Sequence, residues 1–418
     1  MGCKSNQFES AVIEENLKNA GFQKTESPEK ADYFILNSCT VTHKSDSEAL
    51  YLLRNIKHKN PDTITVLTGC LAQVEKENLL NNDFVNIVLG NDEKLDIAKY
   101  LSDEKKFAAR DLMTKNDFTR VILNDTSKTR ANVKIQDGCD NRCSYCIIPY
   151  ARGKSRSADI DFIINQINEL YTKGFKEVVL TGIHIGQWGK DFDMSLINLL
   201  KEIESQTKIP RYRLGSLNPL EIDDELLKFL SDSKSFCPHF HLSLQSACDN
   251  TLRRMNRFYK TEDYLNQINK INEIFNLPFL GADIIAGFAG ETEEDFYTTV
   301  NNLKRSGLSK IHTFPYSRRK GTPGDTMPLQ VDDKTKERRA SIIKEISREK
   351  FLNFMNKNVG SKQEILIEKH PDKNGFLKGV TRNFLTVILD SKDLSLTNTL
   401  VFANITNCEN GKLYGRIA

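Results

Sequence analysis

Three cysteines, Cys139, Cys143 and Cys146, lie close together in the stretch GCDNRCSYCIIPYARG, with no fourth cysteine or histidine in the same loop. Thiolates are soft donors that suit zinc or an iron–sulfur cluster. A structural zinc ion almost always takes four protein ligands, whereas a cubane cluster held by three cysteines leaves one iron open to a small molecule. The missing fourth ligand favours the cluster, with zinc as the competing reading. Three further cysteines are scattered: Cys3 in GCKSNQ, Cys39 in LNSCTVT and Cys70 in LTGCLAQ. Cys39 and Cys70 each end a predicted strand just before a helix, and loops at one edge of a parallel sheet converge in space. A second thiol site follows from that shared position. Its alternative is a set of buried structural cysteines.

The rest of the composition narrows the setting. The chain carries nine cysteines, an odd number, and neither a signal-peptide pattern nor an apolar run long enough to span a membrane. A disulfide framework is therefore not expected, a cytoplasmic location is expected, and no membrane partner is expected. With 59 basic and 56 acidic residues the net charge is only +3, so local clusters alone can speak about partners.

The elements that must position these residues fall into three regions. Residues 1–101 alternate helix-like and strand-like segments: helices over 7–20, 46–59 and 73–82, strands over 33–37, 63–68 and 85–89. This is an α/β pattern with a parallel sheet. Residues 102–130 are polar and aperiodic and read as a linker. Strand-like segments then recur over 131–137, 176–181, 209–215, 239–245, 279–286 and 310–316, separated by helical ones near 159–173, 195–206, 223–234, 262–276 and 293–306. Six strand–helix units suggest a partial TIM-type (β/α)6 barrel, with a doubly wound open sheet as the competing topology. In HFHLSLQS, Phe240, Leu242 and Leu244 share one face and His239, His241, Ser243 and Gln245 the other, which suits a barrel with a polar lumen. The cysteine loop follows the first barrel strand, at the mouth where barrel enzymes keep their chemistry. After a helix around 334–356, residues 358–418 read as a small all-β barrel. The domain boundaries drawn from this are 1–118, 125–355 and 357–418.

The C-x3-C-x-Y-C pattern resembles the signature of the radical S-adenosylmethionine (SAM) superfamily. In that superfamily the open iron chelates SAM, which supplies the missing ligand. Together with GCKSNQFE, NSCTVTHKSD, TGCLAQ, LTGIHIGQWGKD, CPHFHLSLQSACDNTLRRMNR, DIIAGFAGETEEDF and FPYSRRKGTPG, in that order along nearly the whole chain, it resembles the methylthiotransferase family. The CTVT and LTGIHIG forms look most like the branch acting on tRNA threonylcarbamoyladenosine, whose enzymes place a methylthio group on C2 of the modified adenosine beside the anticodon. The isopentenyladenosine and ribosomal-protein branches are neighbours with the same chemistry.

The resemblance implies two [4Fe-4S] clusters. One, on Cys139, Cys143 and Cys146, reduces SAM to methionine and a 5′-deoxyadenosyl radical; the other, on Cys3, Cys39 and Cys70, carries sulfur that a second SAM methylates. Adenine C2–H is unreactive toward acid–base or nucleophilic catalysis, so cofactor chemistry is needed. SAM contacts carried over by motif are Tyr145, Thr181, Gly182, Ser216, Gln245, Ile285 and Gly287. The acidic form of the motif at Thr181 is absent. The family's chemistry also implies an electron donor such as flavodoxin or ferredoxin, and a sulfur source.

A tRNA anticodon stem-loop as partner requires basic surface. Arg253, Arg254, Arg257 and Lys260 in TLRRMNRFYK, and Arg318, Arg319 and Lys320 in SRRK, supply it, with Phe258 and Tyr259 placed to stack on a base. The terminal module resembles the RNA-binding TRAM domain by position, and carries nine basic and six acidic residues from 357 onward. Three departures from the family pattern stand out. The family carries a short apolar strand before the cysteine of MGCK, so a sheet one strand smaller and a looser Cys3 are expected, and a misassigned start codon would explain the difference. Ala247 replaces the usual glycine and Ala289 the usual proline. A non-catalytic RNA-binding protein with structural zinc remains the reading from another class.

Overall fold

The computed structural model describes residues 2–101, 106–122 and 128–418. The chain opens on a four-stranded parallel sheet in chain order: β1 (Tyr33–Ser38), β2 (Ile64–Gly69), β3 (Ile87–Leu89) and β4 (Lys106–Ala108). Helices cover both faces, so the central strands are rich in buried apolar residues on both sides. Leu67 and Val88 pack with Leu53 of α2 (His43–Lys59) and Leu71 of α3 (Cys70–Glu75). Val66, Ile87 and Leu89 pack with Ile13 of α1 (Lys4–Asn19). Strand β4 lies inside the segment expected to be a linker; its three residues are too few to show periodicity, and pairing with β3 alone makes them a strand. Residues 102–105 and 123–127 of that segment lie outside the described residues. The helix expected over 73–82 begins earlier, at Cys70, and gives way at Lys76 to a 3-10 turn over Lys76–Asn81.

The second body is a partial TIM-type barrel. Its strands are β5 (Ala131–Lys134), β8 (Glu177–Thr181), β9 (Arg211–Leu214) continued past Gly215 as β10 (Ser216–Leu217), β11 (His239–Gln245), β12 (Phe279–Ala286) and β13 (Lys310–Pro315), every neighbouring pair parallel. A short antiparallel pair, β6 (Gln136–Asp137) and β7 (Arg156–Ser157), extends the first turn, with α4 (Ile148–Arg152) between them. The crossovers are α5 (Ile160–Thr172), α6 (Leu196–Gln206), α7 (Asp224–Asp232), α8 (Asp249–Arg254) with α9 (Thr261–Ile274), and α10 (Glu293–Arg305). Local chemistry starts these helices where the sequence periodicity begins: Asp159, Asp223 and Thr292 each accept a backbone N–H three residues on. Val178, Leu180, Leu214, Leu242, Leu244 and Ile284 face the helices in one continuous core. The opposite face is polar, with Glu177, Arg213 and His239 buried there and His241 Nε2 2.8 Å from Asp283 Oδ2.

After α11 (Pro323–Thr326), the long α12 (Asp333–Asn358) leads into a closed five-stranded barrel: β14 (Lys362–Ile367), β15 (Lys378–Thr381), β16 (Thr386–Leu389), β17 (Leu400–Glu409) and β18 (Lys412–Ile417), ordered β14-β15-β16-β18-β17. Closure leaves no free edge. Its core includes Phe354 and Met355 of α12 and Phe279 of β12, so the terminal barrel is packed onto the larger one. Among the described residues no helix is long and apolar enough to cross a membrane.

Candidate active site at the barrel mouth

The loop carrying Cys139, Cys143 and Cys146 leaves β6 at the C-terminal end of the barrel strands. Gly138 opens it at φ +72, where an added Cβ would stand 1.8 Å from the Lys154 carbonyl oxygen, so the loop folds back on itself only with glycine there. Gln136 ties it to the next strand end: its Nε2 donates to the Gly138 carbonyl at 2.7 Å, and its Oε1 accepts from the backbone of Ile183 and His184 at 3.1 and 2.8 Å. Thr181 and Gly182 (end of β8), Ser216 (β10), Gln245 (end of β11, φ +68) and Ile285 with Gly287 (end of β12) ring the same mouth. Tyr145 is packed edge-on against Phe288, ring centroids 6.4 Å apart. Tyr145 in the cysteine loop and the other residues carried over for SAM at or near the strand ends thus lie at one end of the barrel.

Charged partners approach the sulfurs. Arg257 Nη1 lies 3.3 Å from Cys143 Sγ, and His184 Nδ1 lies 3.5 Å from Cys139 Sγ. The other face of His184 meets Glu221 and the Asn218 side chain. Burial disfavours the imidazolium, but the hydrogen bonds to Cys139 and Glu221 outweigh it and raise His184 to about 9. Burial, reinforced by Cys143 and Cys139, raises the Cys146 thiol to about 12. A cavity of about 150 Å³ opens beside Cys143, lined also by His184, Asn218, Leu220, Arg257 and Phe258. The His184–Asn218–Glu221 group was not singled out from the sequence, although its signal is legible: Asn218-Pro-Leu-Glu221 is a capping box that aims the glutamate back at the loop.

The N-terminal cysteines lie at the ends of three neighbouring segments. Cys39 follows β1, Cys70 opens α3 directly after β2, and Cys3 caps α1. Gly69, at φ +94, lets the two loops touch, since a Cβ there would lie 2.4 Å from the Ser38 carbonyl oxygen. Ser38 joins the three segments: its Oγ donates to the Thr68 carbonyl at 2.6 Å, and its carbonyl accepts from Asn6 Nδ2 at 2.8 Å. Burial raises the Cys39 thiol to about 11, with Cys70 and Cys3 adding to the shift. Cys3 is exposed. Among the described residues no three His, Cys, Asp or Glu side chains are arranged to hold a single metal ion. Each group nonetheless presents three neighbouring thiols, a donor set whose softness matches an iron–sulfur cluster.

The basic residues divide by direction. Arg253 and Lys260 face solvent on the α8–α9 connection, beside Phe258, whose ring is 79% exposed at the rim of the cavity. Tyr259 is buried, its hydroxyl donating to the Ser243 and Leu244 carbonyls at 2.7 and 2.6 Å. Arg254 pairs with Asp295 at 3.3 Å and Arg318 with Asp325 at 3.1 Å. Arg257 turns inward to Cys143, and Arg319 is buried against Asp46 and Thr40, each at 2.6 Å.

Residues 133–303 match the model of the Radical SAM superfamily, and residues 1–90 match that of a family described as uncharacterized protein family UPF0004. The chain is 36% identical to the threonylcarbamoyladenosine tRNA methylthiotransferase MtaB of Aquifex aeolicus, over 88% of this chain and 91% of that one. It is 34% identical to the tRNA-2-methylthio-N(6)-dimethylallyladenosine synthase of Natranaerobius thermophilus, over 100% and 95%. Among solved structures, the radical S-adenosylmethionine methyltransferase TsrM of Kitasatospora setae shares the fold, with a TM-score of 0.56 over 76% of this chain and 74% of that one at 14% identity. By identity over nearly its whole length, the chain belongs to the radical SAM methylthiotransferase family.

Proposed function

We propose that this chain is a tRNA-modifying enzyme that converts N6-threonylcarbamoyladenosine beside the anticodon to its 2-methylthio derivative. The observation that carries the reading is 36% identity over 88% of the chain to a threonylcarbamoyladenosine tRNA methylthiotransferase, and it is supported by the placement of Cys139, Cys143 and Cys146 in one loop at the barrel mouth and of Cys39 and Cys70 at strand ends of the N-terminal sheet. Cys139, Cys143 and Cys146 would hold one [4Fe-4S] cluster with SAM on its open iron, and Cys3, Cys39 and Cys70 a second. Bound there, these groups supply hydrogen abstraction from an unactivated adenine C–H and the sulfur that replaces the hydrogen.

The protein's own part is positioning and exclusion of water. Tyr145, Thr181, Gly182, Ser216, Gln245, Ile285 and Gly287 orient SAM at the strand ends. Arg257 and His184 donate to the sulfurs of the mouth loop, which tunes such a cluster. Phe258 stacks on the unpaired adenosine, with Arg253, Lys260, Arg318 and Lys320 along the backbone. Residues 1–118 form the auxiliary-cluster domain, 125–355 the radical SAM domain and 357–418 a TRAM-like module on the tRNA stem. An electron donor such as flavodoxin or ferredoxin and a sulfur source complete the cytoplasmic reaction.

Nucleoside mass spectrometry of tRNA from a deletion strain tests the reading: the 2-methylthio form of threonylcarbamoyladenosine should vanish and return on complementation. Loss of 2-methylthio-dimethylallyladenosine instead would assign the second substrate, which the 34% identical relative with that name supports. Unchanged levels of both would overturn the tRNA reading.

A further inference from the structure

Two cysteine groups that serve one reaction must face one substrate atom, and an error of about 1 Å in such placement costs roughly a hundredfold in rate. Two buried arginines bridge the sheet edge and the barrel mouth.

Arg152 closes α4, six residues beyond Cys146, and is 1% exposed. Its guanidinium forks onto Glu9 of α1, six residues beyond Cys3 and 3% exposed. Nη1 meets Glu9 Oε1, while Nη2 lies 2.9 Å from Glu9 Oε2 and 2.7 Å from Asn6 Oδ1. Glu9 also accepts from Lys94 at 2.6 Å and Lys134 at 2.8 Å. Asn91 continues the chain to the sulfur, its Nδ2 donating to the Ala151 carbonyl at 2.8 Å and lying 3.8 Å from Cys70 Sγ. A second link leaves β13. Arg319 Nη2 lies 2.6 Å from Asp46 Oδ2 and 2.6 Å from Oγ1 of Thr40, the residue after Cys39. Nearby, Ser317 Oγ accepts from the His43 backbone at 2.9 Å.

The charge balance points the same way. Around Glu9 and Asp137 stand Lys94, Lys134, Arg152 and Arg156, four cations against two carboxylates. Buried charges packed this closely hold one another in place, because removing one partner leaves the others uncompensated. A forked guanidinium–carboxylate pair fixes direction as well as distance, which a lysine does not.

Resting on the two-cluster reading, we propose that the Arg152–Glu9 and Arg319–Asp46 pairs are positioning residues that set the separation of the two cysteine groups. Weakening either pair then uncouples the two halves of the reaction and leaves each site assembled.

The test uses the full chain, reconstituted anaerobically, as wild type, Glu9→Gln, Arg152→Lys and Arg319→Lys. Iron content, 5′-deoxyadenosine formed, methylthio-nucleoside formed on an anticodon stem-loop, and the magnetic coupling of the two reduced clusters by electron paramagnetic resonance are measured. The expected result is unchanged iron, 5′-deoxyadenosine within about twofold of wild type, a ratio of methylthio product to 5′-deoxyadenosine lower by roughly tenfold or more, and altered coupling. Wild-type ratio and wild-type coupling in folded variants would overturn the proposal. Should Glu9→Gln fail to fold, Arg319→Lys, which keeps the charge on the other side, decides by the same two readouts. Failure of the two-cluster reading shows separately, in the wild type, as about four irons where two cubanes require about eight.

Discussion

At the residue scale, the sulfurs of the mouth loop are set by their donors. Removing the guanidinium 3.3 Å from Cys143 in Arg257→Gln takes away a positive charge and a hydrogen bond, both of which favour the reduced cluster. Its midpoint potential is expected to fall by tens of millivolts, about 60 mV being a tenfold effect for one electron; a potentiometric titration checks this. Phe258 is a different case. Its ring is 79% exposed and supports no core, so Phe258→Ala should leave melting unchanged while weakening anticodon stem-loop binding by about 1–3 kcal/mol, the worth of one stacked base. Equal affinity in a binding titration would remove Phe258 from the interface. The grouping of Cys139, Cys143 and Cys146 in one loop was legible because their spacing alone puts three thiols together. The directions of Arg257 and Arg319 were not. A basic run looks the same whether a side chain meets solvent, a thiol or an aspartate, and here the answer came from Cys143 and Asp46, both more than a hundred residues away in sequence.

At the element scale, the barrel strands stood where alternation and β-branched runs put them, because each is flanked by a capped helix and buried on a well-defined face. What escaped were pieces that owe their form to a neighbour, such as β4, paired only with β3, and the 3-10 turn after Glu75. Helix α10 shows how one such end is held. Asp295 accepts from the Thr292 backbone and Asn250 Nδ2, each at 3.1 Å, and from Cys248 Sγ at 3.3 Å, and it pairs with Arg254. Burial opposes its charge, but these hydrogen bonds win and hold the carboxyl at about 2. A folded value below the unfolded one of about 3.9 contributes stability that is present above pH ~4 and lost as the pH falls through ~2. Asp295→Asn should therefore cost about 1–2 kcal/mol near neutral pH, with the gap to wild type narrowing between pH ~4 and ~2. Melting of the apoprotein at pH 6 and pH 3 measures it, and an unchanged gap would mean that packing, not charge, holds the α8–α10 junction.

At the scale of the whole molecule, the terminal barrel is a structural wall of the larger one. The sequence reads residues 357–418 as a separable module, and the change from strand–helix alternation to short strands supports a boundary there. The contacts across that boundary could not be read, because they join residues far apart in the chain. Arg211, fully buried on β9, donates to the Glu364 carbonyl at 2.6 Å and pairs with the Glu364 carboxylate at 2.6 Å. Arg213 donates to the Thr381 and Arg382 carbonyls at 2.7 and 2.6 Å and lies under the Phe384 ring, 5.0 Å from its centroid. Arg382 returns the contact by donating to the Phe236 carbonyl at 2.5 Å. Cutting the chain after Asn358 would strip Arg211 and Arg213 of these partners, leaving Glu177 as the nearby carboxylate for both, and would bare Phe279 and Phe354. Breaking a buried charged contact by removing one partner costs about 3–5 kcal/mol. At roughly 2–4 °C per kcal/mol for a body of this size, the truncated protein should melt about 10 °C or more below the full chain. A purely RNA-binding appendage would instead leave melting untouched and lower only tRNA affinity. Differential scanning calorimetry of the two chains, beside a tRNA titration, separates these outcomes. Arg211→Met in the full chain isolates this side chain's contribution, since it keeps the terminal barrel in place and removes the charge that Glu364 and Glu177 share together with the hydrogen bonds to the Glu364 and Val380 carbonyls.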